Sequence, residues 1–300
     1  MRIVVSLPQK DNEFQVLQAE EARSTAARHG VQIEVLYAEG SAVTQIQQLF
    51  TALRSEPRPQ GIVVEPVTGN GMESVLRKSA LAGIGSAVLN CTFGEIATLR
   101  SQFPKLATFS VTSDQVEIGR IQGQQVRALL PSGGTVLFVH GPQSALPAQE
   151  RFRGLKVALE GGSVRLIVVD AQWTEESAEA GVRRWLRLKT SETVRIDVVA
   201  AQDDAMARGA RRALERAPEV VGRSGKLPYL GIDGVPGVGQ KLVDDGELSG
   251  TVVMPSNTGP AVEHLATWAR SGTLPPASVV LPVHPYPALP VMVARLTPSA

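Results

Sequence analysis

The feature that most constrains this chain is a rhythm. Short, continuous apolar runs alternate with helix-period segments almost from end to end. The runs are RIVVSL (2–7), VQIEVLYA (31–38), QGIVVEP (60–66), GSAVLN (85–90), ATFSVTSD, TVLFVH (135–140), VRLIVVDA (164–171), VRIDVVAA (194–201) and PYLGID (228–233). Runs that are continuous rather than alternating suit parallel strands covered on both faces. Between them, VTQIQQLFTAL repeats Val43, Ile46, Phe50 and Leu53 at one-face helical spacing. ERFRGLKVALEG does the same with Phe152, Leu155 and Leu159, and Gly161 suits a C-terminal cap. The first helical segment, FQVLQAEEARSTAARHG, has strong helix formers and a Gly end but a less clean apolar stripe. Strands alternating with helices predict an α/β fold with parallel sheets.

A chain of 300 residues exceeds what one hydrophobic core usually serves. The pattern runs to about residue 110 and starts again near 135, which predicts two similar doubly wound parallel-sheet lobes. Ligands of such sheets bind at the carboxyl ends of strands. Here those ends read LPQKDNEF, EPVTGN, LNCTF, HGPQSA, DAQWTEE, AAQDDA and GIDGVPG, and they carry most of the polar residues that follow apolar runs. TVVMPSNTGPAVEHLATWARSG, from 251 onward, reads as a further strand and helix. The prolines of LPPASVVLPVHPYPALP limit that tail to edge strand or extended linker.

Charge nearly balances at +1, so nothing points to a nucleic-acid or membrane surface. A single cysteine, Cys91, excludes an intramolecular disulfide and a thiolate metal cluster. No apolar run approaches the roughly 20 residues of a membrane span, and no membrane insertion is expected. The opening MRIVVSLPQ reads as a strand and not as an export signal. As it stands the chain is expected to be cytoplasmic; a processed or trimmed chain would be periplasmic.

GIDGVPGVGQ is glycine-rich, but its spacing is not G-x-G-x-x-G, and no phosphate-loop motif is present. The four histidines, at 29, 140, 264 and 284, lie in separate segments without the i, i+4 partner a zinc site needs. G-x-S-x-G is absent, and Cys91 has no nearby His in sequence. No cofactor is expected. That leaves VVAAQDDAMARGARRAL, where an apolar run stops at Asp203 and Asp204. One acid can cap the following helix, whose apolar face is Met206, Ala210, Ala213, Leu214 and Ala217. The other is left at a strand's carboxyl end. With Asp233 it could supply oxygen ligands to a metal or accept hydrogen bonds from hydroxyl groups, and the residues alone leave both open.

The order of fragments adds to this. QDDAMARGARRAL resembles the N-D-x-M-A-x-G-A-x-x-A-L segment of type I periplasmic sugar-binding proteins of the ribose-binding kind. LGIDGVPGVGQKLVDDGELSGTVVMPSNTG resembles the segment that follows it there, and VTSDQVEIGRIQGQQV resembles the family's crossover and helix. ERFRGLKVAL, GIVVEPVTG and DNEFQVLQAEEARSTAARHG have counterparts in the same order, so the likeness extends to about residue 283. LacI-type regulators share this core, with a DNA-binding domain before it.

The resemblance implies two lobes, 1–112 with 255–282 and 113–254 with 283–300, closing over one ligand in a cleft. Crossovers near Ser113-Asp114, Met254-Pro255 and Val283 would form the hinge. It implies Asn12 as a polar contact, Phe14 and Trp173 as aromatic plates, and Arg151 as a donor to ring or hydroxyl oxygens. Asp203 is expected to touch ligand, Asp204 to cap the helix, and Asp233 to accept two hydroxyl hydrogens. Gln15, Asn90, Cys91 and Met254 stand where the family has an aromatic, an Asp-Arg pair and a glutamine, so ribose itself is not supported. The expected function is non-catalytic binding of a monosaccharide, polyol or related small polar molecule, with an ABC transporter permease or a sensor protein as partner. The alternatives are a LacI-type effector core lacking its DNA-binding domain, and a metal-dependent hydrolase using Asp203, Asp204 and Asp233. No nucleic acid is expected to be bound by this chain alone.

Overall fold

A computed structural model describes residues 1–220 and 227–296. The first stretch runs β1 (Arg2–Leu7), α1 (Glu13–His29), β2 (Gln32–Tyr37), α2 (Ala42–Arg54), β3 (Gly61–Val64), α3 (Met72–Leu81), β4 (Gly85–Leu89), α4 (Glu95–Gln102) and β5 (Thr108–Ser113). It continues with α5 (Gln115–Leu129), β6 (Gly134–His140), α6 (Leu146–Leu159), β7 (Val164–Asp170), α7 (Glu175–Leu186), β8 (Val198–Ala201) and α8 (Asp204–Leu214). The remainder is β9 (Tyr229–Leu230), α9 (Gly239–Asp244), β10 (Thr251–Val253), α10 (Thr258–Ser271), β11 (Ser278–Leu281), β12 (His284–Tyr286) and α11 (Leu289–Leu296). The chain divides into two compact units, Met1–Ser113 with Ser256–Leu281 and Asp114–Pro255 with Pro282–Ala300.

The first unit holds a six-stranded sheet ordered β11-β5-β4-β3-β1-β2, parallel at every pairing. Ile3, Val5, Leu7 and Phe109 of this sheet pack against α1 and α10. The weak stripe of α1 has a simple origin: its buried face is built from small residues, Ala19, Ala22, Thr25 and Ala26, with Phe14, Gln15 and Gln18 toward its start. Asn12 caps this helix by accepting from the backbone N–H groups of Phe14 and Gln15. Gly30 ends it in the left-handed region at φ 64°, as a C-terminal cap requires.

One expected face is displaced. In α2 the buried residues are Gln45, Leu49, Ala52 and Leu53, while Val43 is 66% exposed. Gln45 takes the inward place because its carboxamide completes the loop after β3. It donates to Ser6 Oγ and the Glu65 carbonyl and accepts from Val67 N–H. A buried polar side chain persists where its hydrogen bonds are made.

The second unit carries a parallel four-stranded sheet ordered β7-β6-β8-β9 and an antiparallel pair, β10-β12. Isolated parallel bridges Leu230–Gly250 and Asp233–Val253 extend pairing beyond β9. The run 228–233 is therefore a strand of only two regular residues, and the run 194–201 becomes strand only from Val198. Edge strands β2 and β7 are partly exposed, unlike the fully buried central strands β3, β4 and β8. The expected extended tail is corrected in part. Its start gives the edge strand β11 and the strand β12, but residues 289–296 form a helix. Pro290 sits in its first turn, where a missing N–H is tolerated, and Met292 is fully buried in the unit's core.

Candidate functional site

The polar residues of the second unit gather at the carboxyl ends of β6, β8 and β10, around Arg151 on α6. Arg151 is buried, at 6% exposure, where an ion needs partners. Its Nε donates to Gln115 Oε1 at 2.8 Å and its Nη1 to the Gln202 carbonyl at 2.6 Å. Nη2 lies 3.1 Å from Met254 Sδ, and Nη1 lies 3.9 Å from Asp233 Oδ1. Trp173 stands 5.6 Å from the guanidinium, ring centroid to Cζ.

Local structure fixes each partner. Gln115 opens α5 directly after its cap Asp114, whose side chain accepts from Glu117 N–H. Gln202 ends β8 and ties three elements together: it accepts from Gly141 N–H and donates to the Ala148 carbonyl, besides receiving Arg151. Asp233 adopts φ 101°, a region that disfavours any side chain and marks strain held by the surroundings. Its backbone is locked to β10, N–H to the Val252 carbonyl and carbonyl to Met254 N–H. Trp173, at φ 60°, rests its ring on Gly141, where a Cβ would come within 2.4 Å of it. Part of the same ring packs on the core.

The capping role expected of Asp204 falls to its neighbour. Asp203 is the cap of α8: it is extended, at φ −150° and ψ 170°, and its Oδ1 accepts from Met206 N–H at 2.6 Å. Asp204 is already in the first turn. Its Oδ2 accepts from Gly234 N–H at 2.8 Å and its Oδ1 from Thr251 Oγ at 2.6 Å. Asp204 thus staples the loops around β9 and β10 to α8. The metal-dependent hydrolase reading is corrected on this geometry: both Asp204 oxygens hold structural donors, and among the described residues no group of three His, Cys, Asp or Glu could hold a metal ion.

In the first unit the expected residues sit at the ends of β1 and β4 and the start of α1. Phe14 is buried. Asn90, at φ 57°, donates from Nδ2 to Glu65 Oε1 at 3.0 Å. Glu65 Oε2 in turn accepts from Gln18 at 3.3 Å. Cys91 is buried, with its thiol against the Leu89 carbonyl.

A family model described as periplasmic binding protein domain matches residues 3–258. The chain belongs to the periplasmic binding protein domain family. A xylitol-binding protein of Mycolicibacterium smegmatis is 28% identical over 192 residues, 63% of this chain and 50% of that protein. The ribose import binding protein of Escherichia coli K12 is 31% identical over 166 residues, 55% of this chain and 53% of that protein. The chain thus spans about half the length of these curated relatives. A crystal structure of a galactofuranose-binding protein superposes with a TM-score of 0.84 at 20% identity, over 99% of this chain and 97% of that one. The fold is the same.

Membership in this periplasmic binding protein family speaks for binding and against turnover. Within the second unit the structure brings Arg151, Trp173, Asp233 and Met254 together, with Asp203 beside Gln202. Gln115, Gln202, Gln18 and Glu65 escaped the sequence reading. Their signal was available as polar residues at strand ends (EP after IVV, Q after VVAA) or on helix positions that an apolar stripe would claim. No described helix is long and apolar enough to cross a membrane.

Proposed function

We propose that this chain is a solute-binding protein for one small polar ligand, a monosaccharide or polyol, presented to an ABC-type permease or a sensor protein. The observation that carries the reading is the buried pairing of Arg151 with Asp233. A guanidinium that only donates stands next to a carboxylate that only accepts. A hydroxyl group does both, so adjacent hydroxyls of one sugar satisfy such a pair, and charge-assisted bonds strengthen it. Trp173 supplies an apolar plate of the kind that covers the C–H face of a sugar ring. Gln15, Asn90 and Asp203 are assigned as further contacts. The binding functions of the xylitol-binding and ribose import binding proteins support this ligand class.

A thermal-shift screen over monosaccharides and polyols tests the reading, because a ligand that binds only the folded state raises Tm by mass action. Arg151→Ala and Asp233→Ala should each abolish the shift. Survival of the shift in both variants would sink the assignment.

A further inference from the structure

Gln202, the residue that follows β8, is fully buried and uses both ends of its amide. Its Oε1 accepts from Gly141 N–H at 2.8 Å, in the loop after β6. Its Nε2 donates to the Ala148 carbonyl at 2.8 Å, in the first turn of α6. Its backbone carbonyl receives Arg151 Nη1 at 2.6 Å, and its backbone N–H bonds the Val139 carbonyl of β6. Ala148 and Arg151 are three residues apart and so neighbour each other on the surface of α6. Gln202 therefore holds that helix twice, once by its amide and once by its carbonyl. Gly141 is the seat of the Trp173 ring: three ring atoms lie 2.4, 2.6 and 2.7 Å from where a Cβ would stand. One residue thus fixes the backbone under the aromatic plate and the helix that carries the cation.

The amide chemistry is what this place requires. An ionised carboxylate of the same length accepts from Gly141 but has no hydrogen for Ala148, and an apolar chain of that length does neither. Gln115 Oε1 still receives Arg151 Nε when the Gln202 amide is altered, so the cation stays in the site and loses only its alignment. Alignment matters because a binding group has to be held within about 0.5 Å of its productive position by packing and hydrogen bonds behind it. We infer that Gln202 is a positioning residue of the ligand site. It keeps the Arg151 guanidinium and the Trp173 plate at a fixed separation, so that one ligand meets both. It acts through those two groups, since both tip atoms of its own side chain are engaged within the protein. The inference rests on the solute-binding reading above and adds to that site a residue behind its contacts.

Fluorine NMR of the protein containing 5-fluorotryptophan, together with calorimetry, tests it. The chain has three tryptophans, so Trp173, Trp185 and Trp268 give three resonances, and Trp173→Phe assigns the first. The calorimetric probes are xylitol, sorbitol, myo-inositol, D-ribose, L-arabinose, D-glucose and D-galactose. Gln202→Met should displace or broaden the Trp173 resonance more than that of Trp185 and leave Trp268 in place. It should also weaken the tightest probe ~10-fold. Gly141→Ala drives a Cβ into the ring and unseats the same plate. Gln202→Met should therefore cost less affinity in the Gly141→Ala background than in the wild type, whereas a purely structural role costs the same in both. Gln202→Glu keeps the Gly141 bond and loses the Ala148 bond, so it should weaken the probe while the Trp173 resonance stays in place. An unmoved Trp173 resonance in Gln202→Met, or equal losses in the two backgrounds, overturns the inference and leaves the solute-binding reading standing. Binding of no probe by the wild type overturns the solute-binding reading, and the inference with it. If Gln202→Met does not fold, all three resonances collapse together and Gln202→Glu decides the matter: unchanged probe affinity there overturns the inference.

Discussion

A Cβ atom at Gly119 would fall 1.8 Å from the backbone carbonyl oxygen of Arg151. Helices α5 and α6 therefore touch backbone to backbone. Gly154 repeats the contact from the other side, 1.9 Å from the Val116 carbonyl. This closeness lets Gln115, at the start of α5, reach Arg151 Nε at 2.8 Å. Gly119→Ala should push the helices apart. Overpacking costs about 1–3 kcal/mol, which outweighs the roughly 1 kcal/mol that Ala gains over Gly in a helix. The urea midpoint should fall with an unchanged slope, and ligand affinity should fall as Arg151 shifts.

Asp203 can be separated into a capping role and a contact role. Asp203→Ala removes the cap and should destabilise by about 1 kcal/mol, whereas Asp203→Ser keeps a capping oxygen and should be near neutral. Both substitutions remove the carboxylate, so both should weaken ligand binding in calorimetry if Asp203 touches it. Unchanged affinity in both variants leaves Asp203 with capping alone.

Asp204 has the opposite profile. Both of its oxygens accept buried bonds, from Gly234 and Thr251, and hydrogen bonds to a charged group contribute about 1.5–3 kcal/mol each. Asp204→Ala should lose ~3 kcal/mol or more in chemical denaturation. A loss below ~1 kcal/mol would show that the staple contributes little.

Tyr229 makes stability depend on alkaline pH. Burial pushes its phenol well above the ordinary tyrosine range, so the neutral form is favoured in the folded state. In the unfolded chain the phenol ionises near pH 10. The contribution is complete below that pH and is lost as pH rises through and beyond it, because unfolding then releases a proton. Denaturation midpoints between pH 9 and pH 11, taken as roughly bracketing that value, should fall less steeply in Tyr229→Phe than in the wild type. Parallel slopes would remove Tyr229 as the cause.

How much of this was legible follows from which signals are local. The central strands β3, β4 and β8 could be read because burial on both faces demands unbroken apolar runs. Arg151, Trp173 and Asp233 could be singled out because each follows or faces a strand end and is chemically conspicuous. The choice of the capping acid was off by one residue. Which of Asp203 and Asp204 leaves the strand last depends on backbone angles at the end of β8, and helix boundaries read from sequence shift by a residue or two. The glutamines were harder. Gln45, Gln115 and Gln202 occupy positions where a pattern search expects apolar or loop residues, and only the assembled neighbours reveal the bonds their amides make. Helix α11 was hidden by Pro290, which reads as a breaker but is harmless in a first turn.

The division of the chain has a consequence for how it is made. β11 completes one edge of the first unit's sheet by pairing with β5, and the hydrogen bond from Ser110 to Ser278 joins residues 168 positions apart. Helix α10, which covers the same sheet's core beside α1, also comes from beyond Pro255. A ribosome emitting this chain must therefore release nearly all of the second unit before the first can close its edge. Until then β5 carries an open row of backbone donors and acceptors, the state most exposed to pairing with a neighbouring nascent chain. Speed of synthesis through residues 114–281, and not only the final stability, governs how long that edge stays bare.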